Sequence, residues 1–393
     1  MHQFRNDYSE GACPESSRRS FKPMPSKTPG YGTDEHCERA AALLREVCGQ
    51  PAAYVRFIPG GTAANAVCIS AFTDDFEGPI LAADAHPTAH ETCAIEACGR
   101  RILATADAFG VLAPAEVERV YHASIAGGCH TTRPAMLYFS NTSELGHVYT
   151  RAEFDSLCDV AEKLDLAVYV DGARMASALT AADGDLTLEH LASRADAFTL
   201  GGTKAGMLFG EALVVSPRTA RGRRAIERIP YLTKRSGHMT AKGRLMGIQY
   251  EAVFDPELRD AEGLLPYFTH AKRSNECAVM LANGLERRLR AICAYNRQPA
   301  VLLVRFRYGR PHRRSQRCRS HARQGPHGAR PSRPALCDEL GLPARARRGA
   351  FGVHLRPLAH RWATDRNHTP LIEKRPVTGA FPFIVWETIS ARS

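Results

Sequence analysis

The chain has 393 residues, 44% of them apolar, enough to bury a sizeable core in one large domain with a smaller one beside it. No run approaches the roughly 18 apolar residues of a membrane span, and the opening Met1-His2-Gln3-Phe4-Arg5-Asn6-Asp7 lacks the apolar core of a signal peptide; a cytoplasmic globular protein with no membrane partner is expected. The net charge of +11 would raise nucleic acid as a partner, but residues 296–393 hold 20 Lys+Arg against 5 Asp+Glu, +15, leaving 32 against 36, −4, for residues 1–295.

In chain order, the stretch from Pro14 to Lys27 has no periodicity, and Pro23 and Pro25 would interrupt any helix, so it reads as loop. Cys37 to Val47 places Ala40, Ala41, Leu43, Leu44 and Val47 on one helical face. Ala53 to Ile58 is β-rich and stops at Pro59-Gly60-Gly61, after which Thr62 opens a helix to about Phe72. The alternation continues with a strand at Pro79–Ala82, helices at Thr88–Ala97 and Pro114–His122, and a strand at Ala135–Ser140. A helix at Arg151–Leu164 follows, then a strand at Leu166–Val170, helices at Ala173–Leu179 and Leu186–Ala192, and a strand at Ala197–Leu200. Strands separated by helices predict a parallel α/β sheet, whose ligands sit at the carboxyl ends of the strands.

From about Ala294 to Arg366 the pattern fails: runs such as Arg310-Pro311-His312-Arg313-Arg314 dominate, with short apolar islands such as Val301–Val304. The preferred reading is a frameshifted translation of a GC-rich gene, since Arg, Pro, Ala, Gly and His fill a place where a folded domain belongs. A compensated shift of the same kind would account for residues 15–27. The alternatives are a solvated basic segment and a nucleic-acid-binding arm; the second is disfavoured because no aromatic residues are interleaved at regular spacing. The 12 cysteines form no Cys-x-x-Cys pair, so metal knuckles are not expected and reduced, mostly buried thiols are.

Chemistry concentrates where predicted strands end. Lys204 follows Ala197-Phe198-Thr199-Leu200 between Gly201-Gly202-Thr203 and Ala205-Gly206, small neighbours that would let a carbonyl cofactor reach its amine. Asp171 ends the apolar run Val168-Tyr169-Val170, where a carboxylate could pair with a protonated pyridine nitrogen. Arg174, three residues on, suits a bidentate grip on a substrate carboxylate. Pro59-Gly60-Gly61-Thr62-Ala63 feeds a helix N-terminus, a phosphate site in form, and His86 follows another strand with Glu91 five residues later, suited to lying against a ring or to moving a proton. Each has a plain alternative use, as a loop lysine, a helix cap, a surface ion pair, a simple turn or a structural histidine.

Together, Gly60-Gly61-Thr62-Ala63-Ala64-Asn65, His86 with Glu91, Ser140-Asn141-Thr142-Ser143-Glu144-Leu145-Gly146, Asp171-Gly172-Ala173-Arg174 and Gly201-Gly202-Thr203-Lys204 resemble, in order and spacing, the low-specificity L-threonine aldolases of the β-eliminating lyase group. Thr28-Pro29-Gly30-Tyr31-Gly32-Thr33-Asp34 and Lys234-Arg235-Ser236-Gly237 are similar to that family too.

The resemblance implies the α/β fold-type I architecture of pyridoxal-phosphate enzymes: an N-terminal segment (1–27), a large cofactor-binding domain (28–255) with a mostly parallel seven-stranded sheet, and a small C-terminal domain (256–393) that residues 294–366 would disrupt. It implies pyridoxal 5'-phosphate as cofactor, a small amino acid as substrate, and a homo-oligomer, dimer or tetramer, with shared active sites. Carried over, Lys204 forms the Schiff base, Asp171 pairs with the pyridine nitrogen, His86 stacks on the ring, and Gly61, Thr62 and Ala63 hold the phosphate. Arg174 grips the substrate carboxylate, Tyr31 reaches the site from the adjacent subunit, and Asn6 stands where relatives often have a serine. The implied activity is retro-aldol cleavage of L-threonine or L-allo-threonine to glycine and an aldehyde, with other β-eliminating or aminotransferase chemistry, or an inactive frameshifted homologue, as alternatives. Two places depart from the family. Ser143-Glu144 stands where other members carry a histidine, leaving the proton acceptor open with His86 or a held water as candidates, and the second carboxylate-binding arginine of the small domain has no secure equivalent near Arg356-Pro357-Leu358.

Overall fold

The computed structural model describes residues 6–21, 27–106 and 111–292. The readings of residues 294–366 and of Arg356 lie outside them, as does most of the expected small domain.

The described chain runs α1 (Pro14–Phe21), α2 (Glu35–Val47), β1 (Tyr54–Ile58), α3 (Gly61–Phe72), β2 (Glu77–Ala82), α4 (His86–Ala89), α5 (Ala94–Ala97), β3 (Leu103–Thr105), α6 (Pro114–Ala126) and β4 (Arg133–Ser140). It continues α7 (Arg151–Lys163), β5 (Ala167–Asp171), α8 (Met175–Leu179), α9 (Leu188–Arg194), β6 (Ala197–Gly201), β7 (Glu211–Val215), α10 (Ala220–Arg235), α11 (Arg244–Val253) and α12 (Pro266–Ile292). Seven strands form one sheet in the order β1-β7-β6-β5-β4-β2-β3. β7 pairs antiparallel with both β1 and β6, and every other pairing is parallel. β7 breaks the parallel pattern because only residues 202–210 separate it from β6, too few for a crossover helix.

The central strands read as continuous apolar runs because helices cover them: β5, β6 and β7 are buried at every residue, and β4 from Pro134 onward. α3 is buried from Ala64 to Phe72 and packs on α10 and on β1, β4, β6 and β7. The chain passes from β2 outward to β3, then returns to β4 and proceeds the other way through β5, so the order reverses between β2 and β4. Crevices at the carboxyl ends of strands flanking such a reversal are where α/β folds bind ligands. Nine described cysteines are free, and five of them, Cys13, Cys37, Cys48, Cys68 and Cys158, are buried.

Three local expectations are corrected. The stretch read as loop or frameshift filler contains α1, which Pro14 opens at a position where its missing N–H has no intrahelical acceptor to lose. Ser16 and Ser20 are buried, α1 packs on α11, and Arg19 binds Glu251 at 3.1 Å and Asp255 at 3.0 Å. Packing, with no strong local periodicity, makes this helix; residues 22–26 lie outside the described set. The single helix expected over Thr88–Ala97 is instead α4 and α5, separated where Thr92 and Cys93 take left-handed φ of 49° and 60°. The break turns the Glu91 side chain inward, where it is fully buried. α8 begins at Met175 rather than Ala173, because Ala173 N–H donates to Asp171 Oδ1 at 2.9 Å.

Candidate active site

β1, β2, β4, β5 and β6 run in one direction, so the residues following them collect along one edge of the sheet. That edge holds the N-terminus of α3 after β1, His86 after β2, Glu144 after β4, Asp171 and Arg174 after β5, and Lys204 after β6.

The inner part of the site is a buried hydrogen-bond network. Asp171 is 5% exposed, and its carboxylate accepts from Tyr138 Oη at 2.6 Å, Asn65 Nδ2 at 3.0 Å and Ala173 N–H at 2.9 Å. Asn65 Nδ2 also donates to Glu91 Oε1 at 2.7 Å, while its Oδ1 accepts from Tyr169 Oη at 2.8 Å. Glu91 Oε1 in turn lies 2.7 Å from His86 Nδ1. That hydrogen bond, outweighing burial and helped by the nearby Glu144, Glu91 and Asp171 charges, raises the His86 pKa above its ordinary value. A network with every member engaged fixes side-chain directions at the bottom of a cleft.

Two glycines bring the β5 and β6 ends together. A Cβ on Gly172 would stand 1.9 Å from Thr199 O, and one on Gly201 would stand 2.5 Å from Ala173 O, so no larger residue fits between these backbones. Gly172 N–H donates to Thr199 Oγ1 at 2.7 Å and Gly201 N–H to Gly172 O at 3.0 Å, locking the two turns together. Lys204 therefore emerges beside the Asp171–Arg174 turn. Beside it, Glu211 of β7 is 4% exposed; burial pushes its carboxyl well above the usual range, which the Lys204 charge and the Thr203 side chain offset only in part.

The outer part consists of charges in looser contact. Arg174 Nε and Nη2 donate to the two oxygens of Asp7, the second at 3.2 Å. Lys204 Nζ stands 3.8 Å from Asp7 Oδ1, and Arg174 Nη1 stands 3.8 Å from Glu144 Oε2. Burial alone would raise the Asp7 carboxyl, but the Arg174 and Lys204 charges hold it below its ordinary value. Glu144 goes the other way: burial raises its pKa, and Arg174, His86 and Lys204 offset this only in part.

The first turn of α3 completes the edge. Gly60 caps the helix with no side-chain hydrogen bond, the first intrahelical bond is Ala64 N–H to Gly60 O, and a Cβ built on Gly60 or Gly61 would meet nothing within 4 Å. The amides of Gly61, Thr62 and Ala63 thus have no intrahelical acceptor at the positive end of a helix dipole, a fit for a phosphate.

Two expected residues make other contacts in this copy of the chain. Asn6 turns its Oδ1 to its own turn, accepting from Tyr8 N–H and the Ser9 hydroxyl, and the neighbouring Asp7 makes the contact with Arg174. Tyr31, with φ of 63°, is 47% exposed, carries Lys234 Nζ over its ring at 4.7 Å, and lines a separate cleft with Arg45, Arg56 and Phe57. Sequence reasoning missed Asp7, Tyr138, Tyr169 and Glu211. The tyrosines and Glu211 lie within or at the ends of apolar strand runs and read as core; only the period-2 alternation of a strand could have put Tyr138 on the face of Ser140.

A model of the beta-eliminating lyase family matches residues 3–309. The chain belongs to that family. It is 28% identical over 286 residues to a low specificity L-threonine aldolase of a Pseudomonas species, covering 72% of this chain and 77% of the relative. The low specificity L-threonine aldolase of Pseudomonas aeruginosa is 28% identical over 285 residues, covering 71% and 77%. A solved threonine aldolase of Leishmania major superposes with a TM-score of 0.68 at 35% identity, over 73% of this chain and 80% of that one. An aspartate aminotransferase of Thermus thermophilus shares the fold at 13% identity with a TM-score of 0.57, covering 74% and 72%. The architecture is that of the fold-type I pyridoxal-phosphate enzymes.

Proposed function

We propose that this member of the family is a pyridoxal-phosphate-dependent aldehyde-lyase that cleaves L-threonine or L-allo-threonine, and related β-hydroxy-α-amino acids, to glycine and an aldehyde. The convergence of Lys204, Asp171, Arg174 and the uncapped α3 N-terminus on one sheet edge carries this reading. The fit to the cofactor rests on donor chemistry: an amine on a tight turn, a buried carboxylate fixed by three donors, and open amides at a helix start. Bound there, pyridoxal phosphate supplies an electron sink for the pair of the breaking Cα–Cβ bond. Gly61, Thr62 and Ala63 would hold its phosphate, Asp171 would pair with its ring nitrogen, His86 would support the ring, and Lys204 would anchor it covalently.

Arg174 takes the substrate carboxylate, with Asp7 keeping the guanidinium in place until substrate arrives, and Asn6 and Tyr31 stand at the margin of the substrate cleft, Tyr31 from a second copy of the chain. A homo-oligomer, dimer or tetramer, in the cytoplasm goes with this reading. Among the described residues no helix is long and apolar enough to cross a membrane.

The test is spectroscopic and chemical. Added pyridoxal phosphate gives a visible absorbance band with the parent chain and none with Lys204→Ala; an unchanged spectrum would sink the lysine assignment. Incubation with L-threonine or L-allo-threonine yields acetaldehyde and glycine; keto acids instead would point to β-elimination or transamination.

A further inference from the structure

Retro-aldol cleavage needs a group that takes the β-hydroxyl proton while the Cα–Cβ bond breaks. Three ionisable side chains besides Lys204 and Arg174 face the open part of the cleft. Asp7 is engaged through both oxygens by Arg174, with Lys204 3.8 Å away, and is held ionised as a counter-charge. His86 has Nδ1 tied to Glu91 at 2.7 Å, and Glu91 is itself bound by Asn65. That chain commits Nδ1 to Glu91 and raises the imidazole pKa above its ordinary value.

Glu144 is placed differently. Its contact with Arg174 Nη1, at 3.8 Å, is too long for a hydrogen bond, so an oxygen stays available. The side chain is 16% exposed, and the charges facing it are Arg174 and Asp171 from the β5 turn, His86 from the β2 turn and Lys204 from the β6 turn. A β-hydroxyl lies only three bonds from the carboxylate carbon of the amino acid that carries it. The group that deprotonates it must therefore stand beside the carboxylate clamp, and Glu144 shares that clamp.

We propose, resting on the lyase reading above, that Glu144 is the catalytic base of the retro-aldol step, accepting the β-hydroxyl proton of a substrate held through its carboxylate on Arg174. The O–H bond breaks, its proton passes to a Glu144 carboxylate oxygen, and its electron pair becomes the second bond of the aldehyde carbonyl. The Cα–Cβ pair remains with the glycine fragment, and one proton returns to Cα, so none is gained or lost overall. Two carboxylates flanking one guanidinium thus divide the work, an ionised Asp7 as counter-charge and a Glu144 of raised pKa as proton acceptor, the pattern by which enzymes separate acid and base roles.

The experiment compares the full parent chain with Glu144→Gln and Glu144→Asp, loaded with pyridoxal phosphate. In Glu144→Gln, kcat for L-allo-threonine cleavage falls by roughly a hundredfold or more with KM little changed, and Glu144→Asp restores part of it. Exchange of the glycine α-proton with D2O, which involves no β-hydroxyl, continues at the parent rate in Glu144→Gln. Without cofactor, carbon-13 NMR of glutamate-labelled protein shows the Glu211 and Glu144 carboxyls titrating above the ordinary glutamate range, and the second is absent from Glu144→Gln. Cleavage retained within a few-fold of the parent, or glycine exchange lost in step with cleavage, overturns the base assignment while leaving the lyase reading intact. A parent chain that binds the cofactor but releases no aldehyde from any β-hydroxy-α-amino acid overturns the lyase reading and the base assignment with it.

Discussion

The inner part of the cleft, built by Asp171, Asn65, Tyr138, Tyr169 and Glu91, is buried throughout and each member is hydrogen-bonded, whereas the outer part, built by Lys204, Arg174, Asp7 and Glu144, keeps side chains 14–20% exposed and includes charge contacts as long as 3.8 Å. The inner groups cannot exchange partners without leaving a buried donor or acceptor empty, so they hold a direction. The outer groups can trade a protein carboxylate for a substrate carboxylate at little cost, because water and neighbouring charges remain within reach. Orientation and chemistry are thereby assigned to different side chains.

The largest expected effect tests the inner part. Asn65→Leu removes one donor each from the Asp171 and Glu91 carboxylates and the acceptor of the Tyr169 hydroxyl, and destabilises the fold by about 3 kcal/mol, read as a lowered urea midpoint; an unchanged midpoint would show that the network orients without stabilising. Arg174→Lys probes the outer part and leaves the urea midpoint nearly unaltered. It raises KM for the amino acid by about tenfold, as expected when a bidentate grip becomes a point charge. A stability loss as large as that of Asn65→Leu would erase the distinction between the two parts.

The smallest effect falls at the junction. Glu91→Gln lowers the His86 pKa back towards its ordinary value, measured by NMR of the imidazole. The sign for stability follows: a folded pKa above the unfolded one contributes stability in full below the unfolded value, lost as pH rises through the folded value. The parent's urea midpoint therefore declines across that window above pH 6.5, and Glu91→Gln flattens the decline. A variant with the same slope would show that another group sets it.

Most of the sheet was legible because buried parallel strands have to be continuous apolar runs and the helices between them have to carry one apolar face; β4, β5 and β6 follow from that rule to within two residues at either end. β7 was not, since its direction depends on the length of the link from β6 and not on its own residues. α1 was hidden for a related reason: its stability comes from packing on α11 and from the Arg19 pairs with Glu251 and Asp255, partners more than two hundred residues away.

In the site, Lys204, Asp171, Arg174, His86 and the Gly61–Ala63 turn could be read from the sequence because each needs a specific local setting, a glycine turn or a strand end, that leaves a mark in neighbouring residues. The fold decided what those residues touch. Asp7 meets Arg174 across 167 positions, Tyr138 and Asn65 meet on Asp171, and Glu144 shares a guanidinium with Asp7, contacts set by where the strands end in space. Sequence alone therefore determined the succession of strands and helices and marked Lys204 by its small neighbours, both of which rest on local residue patterns. Tertiary structure decided which carboxyl is held below its ordinary pKa and which is raised above it, because pKa values follow burial and charges that only folding brings within range.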